Sequence, residues 1–237
     1  MCITLASTAH EPDRRSRRSL KLNQQSMSDY QPDESTARVD LLRFLSACYY
    51  EPTVEFSEEK LFDSIASATR QAWPQLAGLA DELGQAFAEE SLQTLLVDYT
   101  RLFLGPMKAL ASPYSASWLP SPMVGDEVLP PVVLDLYAEG GFEVDAELAE
   151  LPDHVAIELE FLYLLSFNQR QAQFLGHLDD DTAVTKLRAR FLDEHLAVWI
   201  DPFTQAVQEH AETAFYRVVA ELTLGIIRLE MARHSGD

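Results

Sequence analysis

The sequence contains one stretch that decides the fold, Pro152-Asp-His-Val-Ala-Ile-Glu-Leu-Glu-Phe-Leu-Tyr-Leu-Leu-Ser-Phe167. Apolar residues recur in it at Val155, Leu159 and Leu162, a spacing that predicts an α-helix. The apolar side chains are not confined to one narrow stripe, which is typical of a helix at the centre of a core. Its longest apolar run falls short of the ~20 residues needed to cross a bilayer. The stretch therefore predicts a central core helix.

Helical periodicity continues on both sides of this stretch. Apolar spacing predicts further helices around residues 39–49, 61–68, 76–87, 92–103, 132–139, 184–199, 203–210 and 215–226. Asp201 followed by Pro202 is typical of a helix start, so a boundary is expected there. Strand-like alternation is confined to four or five residues around Phe142. The sequence therefore predicts an all-α fold, a single helical domain of roughly nine or more helices.

A long segment interrupts the helices in the middle of the chain. Six of the twelve prolines fall between residues 106 and 131, and residues 106–125 show no helical period. Segments of this length inside a compact domain are usually functional or disordered. This one contains Tyr114, Trp118 and Met123, and disordered tracts are usually poor in such residues. We therefore predict a long, ordered, proline-rich loop with a function.

Charge and composition exclude several classes of function. The 237 residues include 18 basic and 38 acidic side chains, a formal charge of −20. Nucleic acids and anionic membrane surfaces are recognised through basic surfaces, so neither is an expected partner. The two cysteines form no CxxC motif, and Cys48 lies in an apolar helical pattern that predicts a buried thiol. This composition is typical of a cytoplasmic protein.

The amino-terminal residues differ in composition from the rest. Residues 1–26 carry five basic and two acidic side chains, a net charge of +3. Residues 27–237 therefore carry −23, which gives −20 for the whole chain. The segment Ser16-Arg-Arg-Ser-Leu-Lys21 resembles a twin-arginine export motif, but the polar residues after it supply no hydrophobic region of a signal peptide. We predict a disordered basic leader over residues 1–36, with Met27 as an alternative start, and an all-helical domain over residues 37–237.

Motifs of catalysis and cofactor binding are absent from the sequence. It contains neither GxGxxG nor GxxxxGK[ST], which bind nucleotides, and neither GxSxG nor HExxH, which mark hydrolases. A di-iron bundle needs Glu-x-x-His pairs, and no histidine here follows an acidic residue at that spacing. The nearest metal candidate, His154 with Glu158, is better explained as a helix start. We therefore expect no enzyme activity, no cofactor and no metal site.

Four segments in a consistent order resemble a known family. Tyr99-Thr-Arg-Leu-Phe-Leu-Gly-Pro106, followed by Ser112-Pro-Tyr-Ser-Ala-Ser-Trp118, is similar to a signature of the TorD/DmsD family of redox-enzyme maturation chaperones. The segment Leu151-Pro-Asp-His-Val-Ala-Ile-Glu-Leu-Glu-Phe161 resembles the second signature of that family. Phe191-Leu-Asp-Glu-His-Leu-Ala-Val-Trp199 resembles part of a later helix. The resemblance runs over roughly residues 37–230.

The resemblance implies a function. Members of that family are cytoplasmic helical chaperones that bind the twin-arginine signal peptide and the apo form of molybdopterin-containing oxidoreductases of the dimethyl sulfoxide reductase type. They assist cofactor insertion and delay export until the enzyme is mature. For this chain the resemblance implies such a partner and a cytoplasmic location. A monomer is the expected state, with a domain-swapped dimer as the alternative.

The resemblance also implies where the peptide binds. Two arginines followed by an apolar stretch need an apolar groove beside acidic groups. The expected peptide-binding residues are Tyr99, Leu102, Phe103, Pro113, Tyr114, Asp153 and His154. The first three share a helix face by their spacing and are expected to form the floor. The two loop residues are expected to form a rigid wall, and Asp153 stands at the mouth with His154, able to accept from a guanidinium.

The second signature departs from the family pattern at one point. The family usually has Glu-Pro-x-Asp-His, whereas Glu150-Leu-Pro-Asp-His154 moves the proline by one residue. The entry into this segment is therefore expected to differ. Two other classes of function stay open: a small helical metal-dependent enzyme, and a general helical adaptor for another protein. Ordinary core packing for Tyr99, Leu102 and Phe103 is the structural alternative to a groove floor.

Overall fold

The computed structural model describes residues 3–5, 33–105, 108–120, 123–124, 127–128, 132–144 and 150–235. Ten α-helices carry most of the regular structure in these residues. In chain order they are α1 (Glu34–Ala47), α2 (Glu55–Glu58), α3 (Leu61–Ala72), α4 (Ala77–Glu89), α5 (Leu92–Tyr99), α6 (Val133–Glu139), α7 (Val155–Leu175), α8 (Leu178–Arg190), α9 (Ala197–His210) and α10 (Ala214–Ser235). The predicted all-α fold is confirmed.

Short strands form two antiparallel ribbons beside the helices. Strand β1 (Ile3–Leu5) pairs with β4 (Phe142–Val144), and β2 (Met123–Val124) pairs with β3 (Glu127–Val128). Strand β4 falls where the sequence shows its one alternating segment. Of the leader predicted over residues 1–36, the structure describes β1 and residues 33–36, where α1 begins. The rest of that prediction lies outside the described residues.

Helix α7 is the centre of the core. Every residue from Val155 to Ser166 is buried, so three turns of this helix are covered on all sides. Helices α1 and α8 pack against it, α3 packs on α1, and α10 packs on α9 and α4. Cys48 follows α1 into this core, as predicted, and burial raises the pKa of its thiol to about 12. None of the described helices is both long enough and apolar enough to cross a membrane.

Side chains that the sequence supplies fix several helix starts. Asp33 Oδ1 accepts from the Thr36 N–H at 2.7 Å before α1, and Ser91 Oγ accepts from the Thr94 N–H at 3.1 Å before α5. Such caps satisfy backbone donors that have no partner within the helix. At the other end of α7, Gly176 takes a φ of 73°, a left-handed value that glycine adopts without strain.

Helix α9 runs through the position where a helix start was predicted. Pro202 lies inside α9, so the boundary predicted at Asp201 and Pro202 is wrong. A proline within a helix leaves the carbonyl four residues earlier without its donor. That residue is Val198, which is 54% exposed, so the missing bond lies on the solvent side of the helix. The helix therefore continues through Pro202 without burying an unpaired carbonyl in the core.

Two π-helical turns interrupt the α-helices. Thr100–Leu104 follows α5, and Phe191–Leu196 joins α8 to α9. Both coincide with segments that carry the family resemblance. A π turn places an extra residue in the helix, changes the direction of the side chains after it, and is frequent at functional sites. Gly105 ends the first turn at a φ of 58°, where a side chain would collide with the Lys108 carbonyl.

Candidate functional site

The proline-rich loop is held against the start of α7 by backbone hydrogen bonds. The Ser115 N–H donates to the Asp153 carbonyl at 2.9 Å, and the Val155 N–H donates to the Pro113 carbonyl at 2.8 Å. Between these two bonds, Tyr114 and His154 form an antiparallel bridge. The described part of the loop is therefore ordered, as predicted, and it brings Pro113, Tyr114, Asp153 and His154 together.

The Asp153 side chain fastens the same loop a second time. Its Oδ2 accepts from the Ala116 N–H at 3.0 Å, across 37 residues of sequence. Ala116 belongs to a short 3₁₀ turn of the loop, Ser115–Ser117. Asp153 therefore caps the loop and not its own helix. The residue is only 2% exposed. In the structure Asp153 therefore positions the loop, and a guanidinium would reach its carboxylate only if the loop moved.

His154 is the N-cap of α7 and is held between two tyrosine rings. Its Nδ1 accepts from the Ala156 N–H at 3.1 Å, which leaves the proton of the neutral ring on Nε2. The Tyr50 ring stacks on it at 6.0 Å, and the Tyr114 ring meets it edge-on at 5.3 Å. Burial lowers the pKa of His154 to about 4, against the opposing effect of Glu150. The ring is therefore neutral at pH 7.

Tyr114 connects the loop to an acidic residue at the surface. Its hydroxyl donates to Glu150 Oε2 at 2.8 Å. Burial and this hydrogen bond both raise the pKa of Tyr114. Two carboxylates, Glu150 and Glu51, lie close enough to the Tyr99 hydroxyl to help burial raise its pKa to about 12. Negative charge therefore gathers beside the loop, where a cationic ligand would be favoured.

Exposed apolar side chains lie on the same segments. Leu104, Leu110 and Leu151 are 51%, 42% and 59% exposed. Leu104 ends the first π turn, and the chain around Leu110 runs along that turn, where the Ala111 N–H donates to the Leu102 carbonyl at 2.8 Å. Leu151 precedes the Asp153–His154 pair. These segments therefore offer apolar surface near the loop, and Leu151 directly follows the carboxylate of Glu150.

The predicted groove floor lies inside the core. Tyr99, Leu102 and Phe103 are all buried. The Phe103 ring meets the rings of Tyr99 and Tyr216 at 5.3 and 5.5 Å. The structure therefore does not bring these three side chains to the surface beside Tyr114 and Glu150. They support that surface from beneath, and direct contact with a peptide stays a prediction.

A buried glutamate connects the segments that carry the family resemblance. Glu158 Oε1 lies 2.9 Å from His195 Nε2, and Oε2 accepts from Trp199 Nε1 at 2.9 Å. The Ser115 hydroxyl is a further hydrogen-bond partner of this carboxylate. Burial raises the pKa of Glu158, and the three hydrogen bonds oppose that effect. One side chain of α7 therefore holds the loop, the second π turn and α9 in register.

Sequence reasoning missed this role, because Glu158 was considered only beside His154 as a metal candidate. The available signal was that Ser115, Glu158, His195 and Trp199 all fall within the segments that resemble the family. Trp199 contributes an N–H, which is a donor and not a metal ligand. Within the described ranges, no three His, Cys, Asp or Glu side chains are grouped so that they could hold a metal ion.

The buried ring of His154 predicts a loss of stability in mild acid. Its pKa is 6.5 in an unfolded chain and about 4 in the fold, so the unfolded state takes up the proton first as the pH falls. The free energy of unfolding should therefore decrease by about 3 kcal/mol between pH 6.5 and 4, and this contribution should level off below pH 4. Urea unfolding of the full chain across this range measures it.

His154→Asn is the matched variant, since asparagine can still cap α7 but does not titrate. Relative to the wild type, the variant should lose about 3 kcal/mol less over the same pH interval. His177→Asn removes an exposed histidine and should leave the wild-type decrease in place. Parallel pH profiles for the wild type and His154→Asn would contradict the assignment.

Comparison with known proteins follows the same segments. The family model described as nitrate reductase delta subunit matches residues 62–205, which include both π turns, the described loop and the start of α7. The chain is 30% identical over 185 residues to the chaperone protein TorD of Salmonella paratyphi B and of Salmonella newport. Each match covers 76% of this chain and 80% of the relative.

Proposed function

Because the chain belongs to the TorD/DmsD family of redox-enzyme maturation chaperones, we propose that it is a cytoplasmic chaperone of a molybdopterin-containing oxidoreductase of the dimethyl sulfoxide reductase type. In this role it binds the twin-arginine signal peptide and the apo-enzyme, assists cofactor insertion and delays export. The observation that carries the proposal is the meeting of the proline-rich loop with the start of α7, which gathers the family's segments at one end of the central helix.

The charge of this region supports a cationic peptide as the ligand. Glu150 is bonded to Tyr114 of the loop, Glu51 acts together with it on the nearby Tyr99 hydroxyl, and the whole chain carries −20. Opposite charge speeds the encounter with a cationic ligand and fixes its orientation more than it adds affinity. Arginine is the cation best suited to carboxylates, because its planar fork donates two hydrogen bonds at once. Glu51 and Glu150 are therefore the proposed partners of the arginine pair.

The apolar part of the peptide has a matching surface. Leu104, Leu110 and Leu151 are exposed on the segments that surround the loop. An amphipathic helix docks by laying its apolar face on such side chains. In this proposal Asp153 and His154 position other residues and do not contact the peptide, because both are buried. Asp153 holds the loop, and His154 caps the start of α7. Tyr114 joins the two parts, since its hydroxyl holds Glu150 in place.

The test is isothermal titration of the full chain with twin-arginine signal peptides of molybdoreductases from the same genome. We expect saturable binding to one peptide and weaker binding to its Lys-Lys version. The double variant Glu51→Gln, Glu150→Gln should raise the Kd about tenfold, because each change removes a charge-assisted hydrogen bond. The matched control, Glu82→Gln with Glu89→Gln, removes two charges from exposed positions of α4 and should change the Kd less than threefold.

Two failures have different meanings. If no peptide binds the wild-type chain, the chaperone proposal is overturned. If a peptide binds and the Glu51→Gln, Glu150→Gln variant binds it as tightly as the control variant does, the function stands and the proposed arginine site is wrong. Equal binding of the Lys-Lys peptide would favour a general adaptor over a chaperone that reads the arginine pair.

A further inference from the structure

A polar cavity lies between α1, α7, α8 and α10, away from the loop. Its volume is about 270 Å³. Ser166 of α7 lines it and follows His154 by twelve residues, a rise of ~18 Å along the helix axis. We propose that this cavity binds a small dianion of the phosphate class, either free phosphate or the phosphate group of a small ester.

The charge balance of the cavity differs from that of the chain. Its lining includes four arginines and one acidic residue, Glu230; the arginines are Arg38, Arg170, Arg188 and Arg233. Asp33 and Glu34 pair with two of these arginines, and Asp181 accepts from Gln173 and Thr185 of the lining, so four acids face four bases and the net charge is zero. The chain as a whole has 18 basic and 38 acidic residues. A site without net negative charge is therefore unusual in this protein, and the buried pair of Arg38 and Arg188 gives its inner wall the positive charge that favours an anion.

The inner wall holds two buried guanidiniums that share one carboxylate. Arg38 Nε donates to Glu230 Oε1 at 2.9 Å, and Arg188 donates to Glu230 Oε2. Arg188 Nε also donates to Ser166 Oγ at 3.0 Å. The side chains of Arg38 and Arg188 are 12% and 8% exposed, and that of Glu230 is 1% exposed. One carboxylate cannot neutralise two arginines, and a buried charge without a counter-ion is costly.

The pKa of Arg188 reflects the shortage of negative charge on the inner wall. Burial lowers the pKa of Arg188, and the charges of Arg38 and Arg233 lower it further, against the attraction of Glu230. A bound anion would supply the missing negative charge next to these side chains. Each guanidinium carries five N–H donors, of which Glu230 takes two from Arg38. Donors therefore remain for a ligand in the cavity.

The rim supplies two arginines that can turn toward a ligand. Arg170 lies 3.4 Å from Asp33, and Arg233 lies 3.2 Å from Glu34. All four side chains are partly or largely exposed, and ion pairs of this kind contribute little to stability. Either guanidinium can therefore exchange its carboxylate for a dianion, which binds an arginine fork more strongly. Gln169 and Thr185 line the cavity between rim and wall.

Size and chemistry point to the phosphate class. The cavity is smaller than the roughly 300–1,000 Å³ of sites that hold drug-sized ligands, so a whole nucleotide is too large. A tetrahedral dianion offers three or four acceptor oxygens in different directions. Donors that converge from four helices match that arrangement better than they match a planar carboxylate.

The experiment is isothermal titration of the full chain with sodium phosphate, with sodium chloride of equal ionic strength in the reference. We expect saturable binding of one phosphate. Glycerol phosphate distinguishes the source, since tighter binding of the ester than of free phosphate identifies an esterified ligand and the reverse identifies the free ion. Malonate has the same charge but planar carboxylates, and we expect it to bind at least tenfold more weakly.

The variant Arg170→Gln, Arg233→Gln should raise the Kd for phosphate about tenfold or more, because it removes two charge-assisted contacts at exposed positions. The matched control is Arg190→Gln with Arg228→Gln, two exposed arginines that pair with Glu139 and Asp201 outside the cavity. It should leave the Kd unchanged. Heat no greater than that of chloride, equal binding of malonate, or equal Kd values for the two double variants would each overturn the proposal.

Discussion

Replacing Glu158 with alanine is expected to lower the free energy of unfolding by about 3–5 kcal/mol. The carboxylate is fully buried and accepts from Trp199 while it bonds His195 and Ser115. Alanine would leave these polar groups buried without a partner, and each such group costs about 1–3 kcal/mol. It would also leave a cavity in the middle of the central helix. Urea unfolding at pH 7, followed by helical circular dichroism, measures the loss.

Two further variants support the interpretation: one keeps the side-chain volume while it changes the hydrogen bonds, and the other is a surface control. Glu158→Gln keeps the size and one acceptor oxygen but turns an amide N–H₂ toward a donor, so we expect a smaller loss of about 2 kcal/mol. Glu139→Ala removes an exposed carboxylate that binds Arg190, and it should cost less than about 1 kcal/mol. A loss for Glu158→Ala as small as that for Glu139→Ala would show that the buried network does not stabilise the fold.

Asp98→Ala is expected to cost about 3–4 kcal/mol, because one buried carboxylate of α5 holds the two residues that directly precede the distant helix α10. Its Oδ2 accepts from the Glu212 N–H at 3.0 Å, from the Thr213 N–H at 2.8 Å and from the Thr213 hydroxyl at 2.7 Å. Its Oδ1 accepts from Arg101 at 2.7 Å. Thr213 lies 115 residues from Asp98, so the loss would remove a long-range link between α5 and the start of α10.

The matched control is Asp33→Ala, which removes an exposed cap within its own segment. Asp33 caps α1 through the Thr36 N–H, and such a cap contributes about 1 kcal/mol. Asp98→Asn, which keeps one acceptor oxygen for the helix start, should fall between the two alanine variants. Urea unfolding of all three variants under one condition gives the comparison. Equal losses for Asp98→Ala and Asp33→Ala would mean that burial adds nothing to the cap.

The helices were largely predictable because apolar spacing is a local signal. The central position of α7 follows from neighbouring residues alone, and the structure confirms it. The helix boundary at Pro202 was wrong, because a proline at an exposed position can lie inside a helix and here does so. The π turns were not predicted, because the apolar spacing of Tyr99, Leu102 and Phe103 also fits a regular α-helix.

The site was predictable only in part. The grouping of Tyr114 with Asp153 and His154 followed from a family resemblance, and the structure brings these residues together. Burial of Phe103 could not be predicted, because the sequence pattern of an apolar helix face is the same whether Tyr216 or a peptide covers it. The sharing of Glu230 by two arginines joins residues that are far apart in sequence. Periodicity reports on neighbours along the chain and not on such distant partners.

The attachment of the loop to α7 affects the entropy cost of binding a ligand beside the loop. Ordering a backbone costs about 1–2 kcal/mol per residue, and for residues 113–117 this cost is met when the protein folds. A ligand that arrives at this face meets a wall that is already rigid, so its capture does not include that ordering step. For the proposed peptide, selectivity would therefore depend on the shape and charge of a loop that is already ordered, and not on a loop that adapts to each ligand.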